Sequence, residues 1–127
     1  MDYQGSDRKI TFIRSVGFAL EGIKASFLGR NMRIHVFLAV SVVIAGIFFS
    51  ISTIEWLFVL LCIAGIFVLE ILNTAIEKTV DLVTNEFHPL AKVAKDLAAG
   101  AVLVYAVYSI IVGIIIFLPK VVECFWR

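Results

Sequence analysis

Charge is absent from long stretches of the chain, and these stretches predict its main elements. Val36 to Ile54 is 19 residues without a formal charge, and Trp56 to Leu69 and Leu97 to Leu118 are also uncharged. At 1.5 Å per residue, a helix of the first length reaches about 28 Å, close to the hydrocarbon thickness of a bilayer, about 30 Å. The pattern predicts three transmembrane helices, with a polar turn at Asn85 to Leu90 and an end to the third span at Pro119.

The residues before the first span follow a different pattern. From Ile10 to Leu28, apolar side chains recur at spacings of three and four, as on one face of a helix: Phe12, Val16, Leu20, Ile23 and Phe27. Charged residues lie off this stripe, which is typical of an amphipathic helix on a membrane surface. Met1 to Asp7 is polar, and we expect it to be disordered. The chain is therefore divided into residues 1–33, polar segment and surface helix, and residues 34–127, the transmembrane domain.

The second span continues past Leu69 and carries a line of polar side chains. At about 100° per residue, these side chains share one narrow side of a helix, here named the polar face: Glu70, Asn73, Thr74, Glu77 and Asp81. The opposite side is apolar. A carboxylate inside an apolar segment is costly to bury and marks a functional site by default. Three carboxylates on one line suggest a polyanion held through a metal ion.

Composition supports a membrane protein. The chain is 61% hydrophobic, with a mean hydropathy of +1.04, whereas an average soluble domain is about half apolar. The formal net charge of +1 gives no argument for nucleic-acid binding. Cys62 lies within an apolar run and Cys124 follows the last one, so a disulfide framework is not indicated.

Basic residues are distributed unevenly around the spans. Those before the first span are Arg8, Lys9, Arg14, Lys24, Arg30 and Arg33. The loop from Ser50 to Glu55 has none, whereas the second connection has Lys78, Lys92 and Lys95. The positive-inside rule therefore predicts that the N-terminus and the second connection lie in the cytoplasm. We expect a multi-pass protein of the plasma membrane. One end of the polar face then meets the side where ATP is available.

The stretch Glu70 to Asp81, with the sequence EILNTAIEKTVD, resembles the signature of the prokaryotic family of diacylglycerol kinases and undecaprenol kinases. The resemblance continues through Glu86 to Ala91 and Ala94 to Asp96, then along the third span. It covers nearly the whole chain, more loosely in the N-terminal helix. His88 to Leu90 and the ending Ile116 to Lys120 resemble the Gram-positive branch, whose members tend to phosphorylate undecaprenol.

This resemblance implies a fold, a reaction and a set of site residues. The fold is an all-α homotrimer, each subunit having three transmembrane helices and a surface helix, with active sites between subunits. The reaction transfers the γ-phosphate of Mg-ATP to a lipid hydroxyl, of undecaprenol or, alternatively, of diacylglycerol. Glu70 is then the general base, Asn73 positions the reacting groups, and Glu77 binds Mg²⁺. The residues expected to contact the nucleotide are Glu86, His88, Lys95 and Asp96.

One position departs from the family pattern. Where the family has a glutamate as a second metal ligand before Arg-Asn-Met-Arg, this chain has Gly29. Glu21 is the nearest acidic residue on the same helix, but it lies about 12 Å away along the axis. The simplest expectation is one Mg²⁺ held by Glu77 and phosphate oxygens, with water in the vacant position.

Other interpretations of the same residues remain open. A small channel or proton-relay subunit would also use intramembrane carboxylates. Asn73 and Thr74 can simply hold helices together, and Asp81 can pair with Lys78. His35 is interpreted as an interfacial residue rather than a ligand. The polar cluster of the second connection favours the kinase, because a relay has no need for it.

Overall fold

A computed structural model describes residues 11–127, which form helices joined by short links. The helices are α1 (Phe12–Ser26), α2 (Arg30–Phe48), α3 (Thr53–Val83) and α4 (Pro89–Phe125). α3 contacts each of the others, most extensively α4. Among the described residues, α2, α3 and α4 are each long and apolar enough to cross a membrane. They confirm the three predicted helices, whereas Met1 to Asp7 and the predicted helix start at Ile10 lie outside the described residues.

The first predicted span is too long. α2 ends at Phe48 and α3 begins at Thr53, so the predicted stretch from Val36 to Ile54 includes a turn. Ser52 starts α3: its hydroxyl accepts from the Glu55 backbone N–H at 3.2 Å, and its own N–H donates to the Glu55 carboxylate at 2.8 Å. This reciprocal capping box has the sequence pattern Ser-x-x-Glu. It marks the start of α3, which the absence of charge alone does not locate correctly.

Helix α4 continues past Pro119, where the third predicted span ends. α4 runs through this proline to Phe125. Proline removes one backbone donor, the one that would reach the Ile115 carbonyl, and membrane helices tolerate such a loss where neighbouring groups compensate for it. Lys120 also holds this part of α4, since its Nζ lies 3.0 Å from an oxygen of Glu55 at the start of α3.

Two glycines let aromatic rings approach α3 and α2 closely. The Tyr105 hydroxyl of α4 donates to the Leu61 carbonyl of α3 at 2.8 Å. Its ring covers Gly65, where a Cβ would come within 2.1 Å of the ring. At Gly46 of α2, a Cβ would lie 2.7 Å from the ring of Trp56. These contacts fix α2 and α4 against α3, the helix that carries the polar face.

Most of the apolar surface is left uncovered by the chain itself. A buried cluster of Ile51, Val59 and Ile116 lies at the end of the bundle that holds the α2–α3 turn. Only 22% of the most apolar window of α3 is buried, and 11% of those of α2 and α4. Exposed apolar surface on this scale requires lipid or further protein chains to cover it.

Candidate active site

The polar face runs along α3 from a buried to an exposed carboxylate. Glu70 and Asn73 are each 4% exposed. Glu77 is half-buried and Asp81 is exposed. The face thus spans about 16 Å of helix axis. A group approaching from the Asp81 end meets water-accessible charge first and a shielded carboxylate last.

Asn73 holds the side chain of Glu77. Its Nδ2 donates to Glu77 Oε1 at 3.1 Å. Its Oδ1 is buried and accepts no hydrogen bond from the described residues. A buried oxygen left without a donor costs on the order of 1–3 kcal/mol, which indicates a place for a further group. Asn73 therefore orients one carboxylate and keeps one acceptor free.

His35 of α2 approaches the buried carboxylate. Its Nε2 lies 3.9 Å from Glu70 Oε2, and the two side chains are 18% and 6% exposed. Asn31, one turn earlier on α2, lies next to the same carboxylate. Residue spacing does not predict these contacts, because they depend on how α2 crosses α3. The interpretation of His35 as an interfacial residue thus did not include its approach to Glu70.

Lys95 and Asp96, both predicted to contact a nucleotide, are held in ion pairs. Lys95 Nζ lies 2.5 Å from Asp81 Oδ1, so Asp81 pairs with α4 rather than with Lys78 of its own helix. Asp96 pairs with Lys92 of the preceding turn at 2.5 Å. The four side chains are 40% to 62% exposed. Exposed pairs are weak, so these charges are free to exchange partners with a phosphate.

The link between α3 and α4 carries the other two residues predicted to contact a nucleotide. His88 caps α4, since its Nδ1 accepts from the Leu90 backbone N–H at 3.1 Å. The Glu86 backbone N–H donates to the Thr84 hydroxyl at 3.2 Å. Glu86 and His88 are both exposed. The link thus places them at the same end of the bundle as Lys95.

The donor atoms of α3 suit Mg²⁺ but do not enclose it. Within residues 11–127, no group of three or more His, Cys, Asp or Glu is placed to hold a metal ion. Mg²⁺ usually takes only one or two protein carboxylates and keeps phosphate oxygens and water as its other ligands. Glu77, oriented by Asn73, supplies one such carboxylate, while Gly29 at the N-cap of α2 supplies no side-chain ligand. These donors therefore fit a metal that arrives with a nucleotide.

An apolar groove of about 280 Å³ lies between α2, α3 and α4. Residues lining it include His35, Val42, Val59, Cys62, Ile66 and Phe117. His35 stands at the end nearest Glu70, and the groove extends from there toward the α2–α3 turn for about 10 Å along α3. Cys62, which lines this groove, is a buried free cysteine.

Known proteins are similar in sequence to this chain over most of its length. Residues 17–117 match the prokaryotic diacylglycerol kinase family. The undecaprenol kinase of Bacillus subtilis (strain 168) is 52% identical over 110 residues, which cover 86% of this chain and 89% of that protein. A diacylglycerol kinase of Synechocystis sp. is 40% identical over 86% of this chain and 63% of its own length. A diacylglycerol kinase of Helicobacter pylori is 33% identical over 75% of each chain.

Proposed function

The chain belongs to the prokaryotic diacylglycerol kinase family and is a lipid kinase, and we propose that it transfers the γ-phosphate of ATP to undecaprenol, giving undecaprenyl phosphate. The choice of acceptor is supported by the 52% identity to an undecaprenol kinase, against 40% and 33% for two diacylglycerol kinases. Diacylglycerol, giving phosphatidic acid, is the alternative. The observation that carries the chemistry is a buried carboxylate, Glu70, beside an apolar groove. Family membership argues against a channel or proton relay.

Glu70 acts as the general base in this proposal. The acceptor oxygen forms a bond to the γ-phosphorus while the bond from that phosphorus to the bridging oxygen of ADP breaks. ADP leaves with the electron pair, and the hydroxyl proton passes to Glu70. The carboxylate is shielded from water at 4% exposure, so a lipid alcohol reaches it more readily than water does.

Glu77 would hold Mg²⁺ together with phosphate oxygens. The bound ion would offset the negative charge of the transferring phosphate. Asn73 donates to one carboxylate oxygen of Glu77, and its own Oδ1 is buried without a hydrogen-bond donor from the described residues. Asn73 therefore positions the groups that meet at the reacting phosphate.

The nucleotide would be held where α3 ends and α4 begins. Lys95 exchanges Asp81 for a phosphate oxygen and acts there as a point charge. Asp96, Glu86 and His88 contact the rest of the nucleotide from the same end of the bundle. In this arrangement ATP, the charged phosphate donor, enters at the exposed end of the polar face, and the lipid lies at the buried end.

α1 is proposed as the surface helix of residues 1–33, joined to a transmembrane domain of residues 34–127. Phe27 of its apolar stripe packs edge-on against Phe67 of α3, with ring centroids 6.3 Å apart. Its stripe residues Val16 and Ile23 are 41% exposed, against 82% for the neighbouring Ile13. Two other stripe residues, Phe12 and Leu20, are 83% and 60% exposed, so the stripe contacts α3 at its Phe27 end and leaves apolar surface free for lipid.

The protein is proposed to act as a homotrimer. One subunit offers a single carboxylate face and leaves most of its apolar surface uncovered. Neighbouring subunits would cover that surface and close the site around the nucleotide. The mass of the detergent-solubilised complex tests this, since a monomeric active species excludes a shared site.

The N-terminus and the α3–α4 link are proposed to face the cytoplasm of a plasma-membrane protein. Cys124 then lies on the outer side, near the end of α4, where it is exposed, whereas Cys62 is buried. A membrane-impermeant maleimide should therefore label intact cells at Cys124. The matched Cys124→Ser variant should remain unlabelled. Labelling confined to inside-out vesicles would show that the protein has the opposite orientation.

The acceptor is tested by direct competition. Undecaprenol and diacylglycerol at equal mole fraction in one mixed micelle should yield mainly the labelled polyprenyl phosphate from γ-labelled ATP. A clear excess of labelled phosphatidic acid would show that diacylglycerol is preferred, while leaving the assignment as a lipid kinase intact.

A further inference from the structure

We propose that His35 binds the acceptor alcohol: with Glu70 it holds the hydroxyl, at the end of the α2–α3–α4 groove that receives the lipid chain. This assignment rests on the proposed function, in which Glu70 is the base. It adds a residue from a different helix, for which the sequence pattern predicts no part in the chemistry.

The separation of the two side chains fits one oxygen atom. At 3.9 Å, His35 Nε2 and Glu70 Oε2 are too far apart for a direct hydrogen bond. An oxygen about 2.8 Å from each would see them at an angle of about 90°, which a hydroxyl group tolerates. The distance between the two side chains therefore suits one bridging hydroxyl between α2 and α3.

The donors and acceptors of the pair match an alcohol. A carboxylate only accepts hydrogen bonds, whereas a neutral imidazole donates from one nitrogen and a hydroxyl both donates and accepts. The alcohol therefore donates to Glu70 and accepts from the N–H at Nε2 of His35. One lone pair of the alcohol oxygen is used by His35 and the other remains free to attack the γ-phosphorus. Glu70 takes the alcohol proton, and His35 keeps its own.

The groove supplies the place for the chain attached to that hydroxyl. His35 both lines the groove and approaches Glu70, so groove and hydroxyl position are continuous. Ser109 also lines the groove, but its hydroxyl donates to the Tyr105 carbonyl at 2.9 Å. The remaining lining is almost wholly apolar. An alcohol with a long apolar chain is thus anchored by polar atoms at its hydroxyl end and by apolar contact along the part of the chain next to the hydroxyl.

The decisive experiment compares an alcohol with a hydrocarbon of the same chain. His35→Leu removes the donor but keeps an apolar lining. It should lower kcat/KM for undecaprenol roughly 10- to 100-fold, the effect of losing one hydrogen bond of about 1.4–2.8 kcal/mol. The KM for ATP should stay within about twofold. A polyprenyl hydrocarbon without the hydroxyl should inhibit wild type and variant with equal Ki.

Two further variants separate hydroxyl binding from structure. His35→Gln keeps an N–H donor and should recover part of the lost efficiency, which a loss of packing would not explain. Ser41→Val replaces an exposed polar residue of α2 by an apolar one and should behave as wild type. Should His35→Leu fail to assemble, His35→Phe keeps a ring without a donor and serves in its place.

Each result decides the assignment. Unchanged alcohol kinetics in the donor-free variant overturn it, as does an equal loss of affinity for alcohol and hydrocarbon, because the role is then only structural. If the hydrocarbon does not inhibit the wild type, the groove is not the binding site of the lipid chain. If diacylglycerol proves to be the acceptor, the same comparison with its deoxy analogue still tests His35, and only the choice of undecaprenol fails.

Discussion

Glu70→Gln is expected to lower turnover by roughly 10²-fold or more, while the protein remains folded and still binds nucleotide. The amide has the shape of the carboxylate but cannot take the proton of the acceptor. Glu70 is only 4% exposed, so water replaces it poorly as a base. Turnover is measured with γ-labelled ATP and undecaprenol in mixed micelles, alongside nucleotide binding to the same preparation.

The control for this variant is Glu123→Gln. Glu123 is an exposed glutamate near the end of α4, paired with Arg127 at 3.7 Å. The same chemical change there should leave turnover as in the wild type. Near-normal turnover in Glu70→Gln would remove Glu70 from the mechanism and leave the polar face without a base.

Glu77→Gln is expected to raise the Mg²⁺ concentration needed for half-maximal rate by roughly tenfold or more, because it removes a charged ligand from a site that has few. Asn73 donates to Glu77 Oε1 and can still donate to the amide oxygen, so the side chain keeps its place while the charge is lost. High Mg²⁺ should restore part of the rate. A Mg²⁺ dependence equal to that of the wild type would exclude Glu77 as a metal ligand.

Gly29→Glu should act in the opposite direction and lower the Mg²⁺ requirement. Gly29 has φ −71°, which any residue adopts, and a Cβ there would lie 3.3 Å from the Ser26 carbonyl oxygen, so only a small shift is needed. Glu21→Gln is the matched control and should leave the requirement unchanged. If Glu21→Gln raises the requirement strongly and Gly29→Glu does nothing, Glu21 is the missing ligand.

The sequence predicts the helices well and their ends less well. The length of the uncharged stretches identifies α2, α3 and α4, because the thickness of a bilayer sets the length of a spanning helix. It misplaces the end of α2, since Ser52 and Glu55 start the next helix by capping rather than by charge. It also does not predict that α4 continues past Pro119, because compensation for a missing donor comes from the surroundings and not from the local sequence.

The same contrast holds at the candidate site. The polar face on α3 follows from helical period alone, and the structure places Glu70, Asn73 and Glu77 along it. The pair of Asp81 with Lys95 and the approach of His35 to Glu70 join different helices. Such contacts depend on crossing angle and rotation about the helix axis, and neither is encoded in the spacing of residues along one helix.

Two ion pairs join α3 to α4, one near each end of α3: Glu55 with Lys120 and Asp81 with Lys95. Glu55 and Asp81 lie about 39 Å apart along α3, close to a bilayer with its headgroup layers, about 40–45 Å. Glu70 then lies about 16 Å from the Asp81 level, inside the hydrocarbon. If Glu70 is the base, as proposed, an uncharged alcohol can reach that depth at little cost, but its phosphate monoester carries negative charge that the low-dielectric layer disfavours. In the proposed reaction the transferred phosphoryl group brings its negative charge onto the lipid, and this charge favours movement of the new headgroup back toward the water.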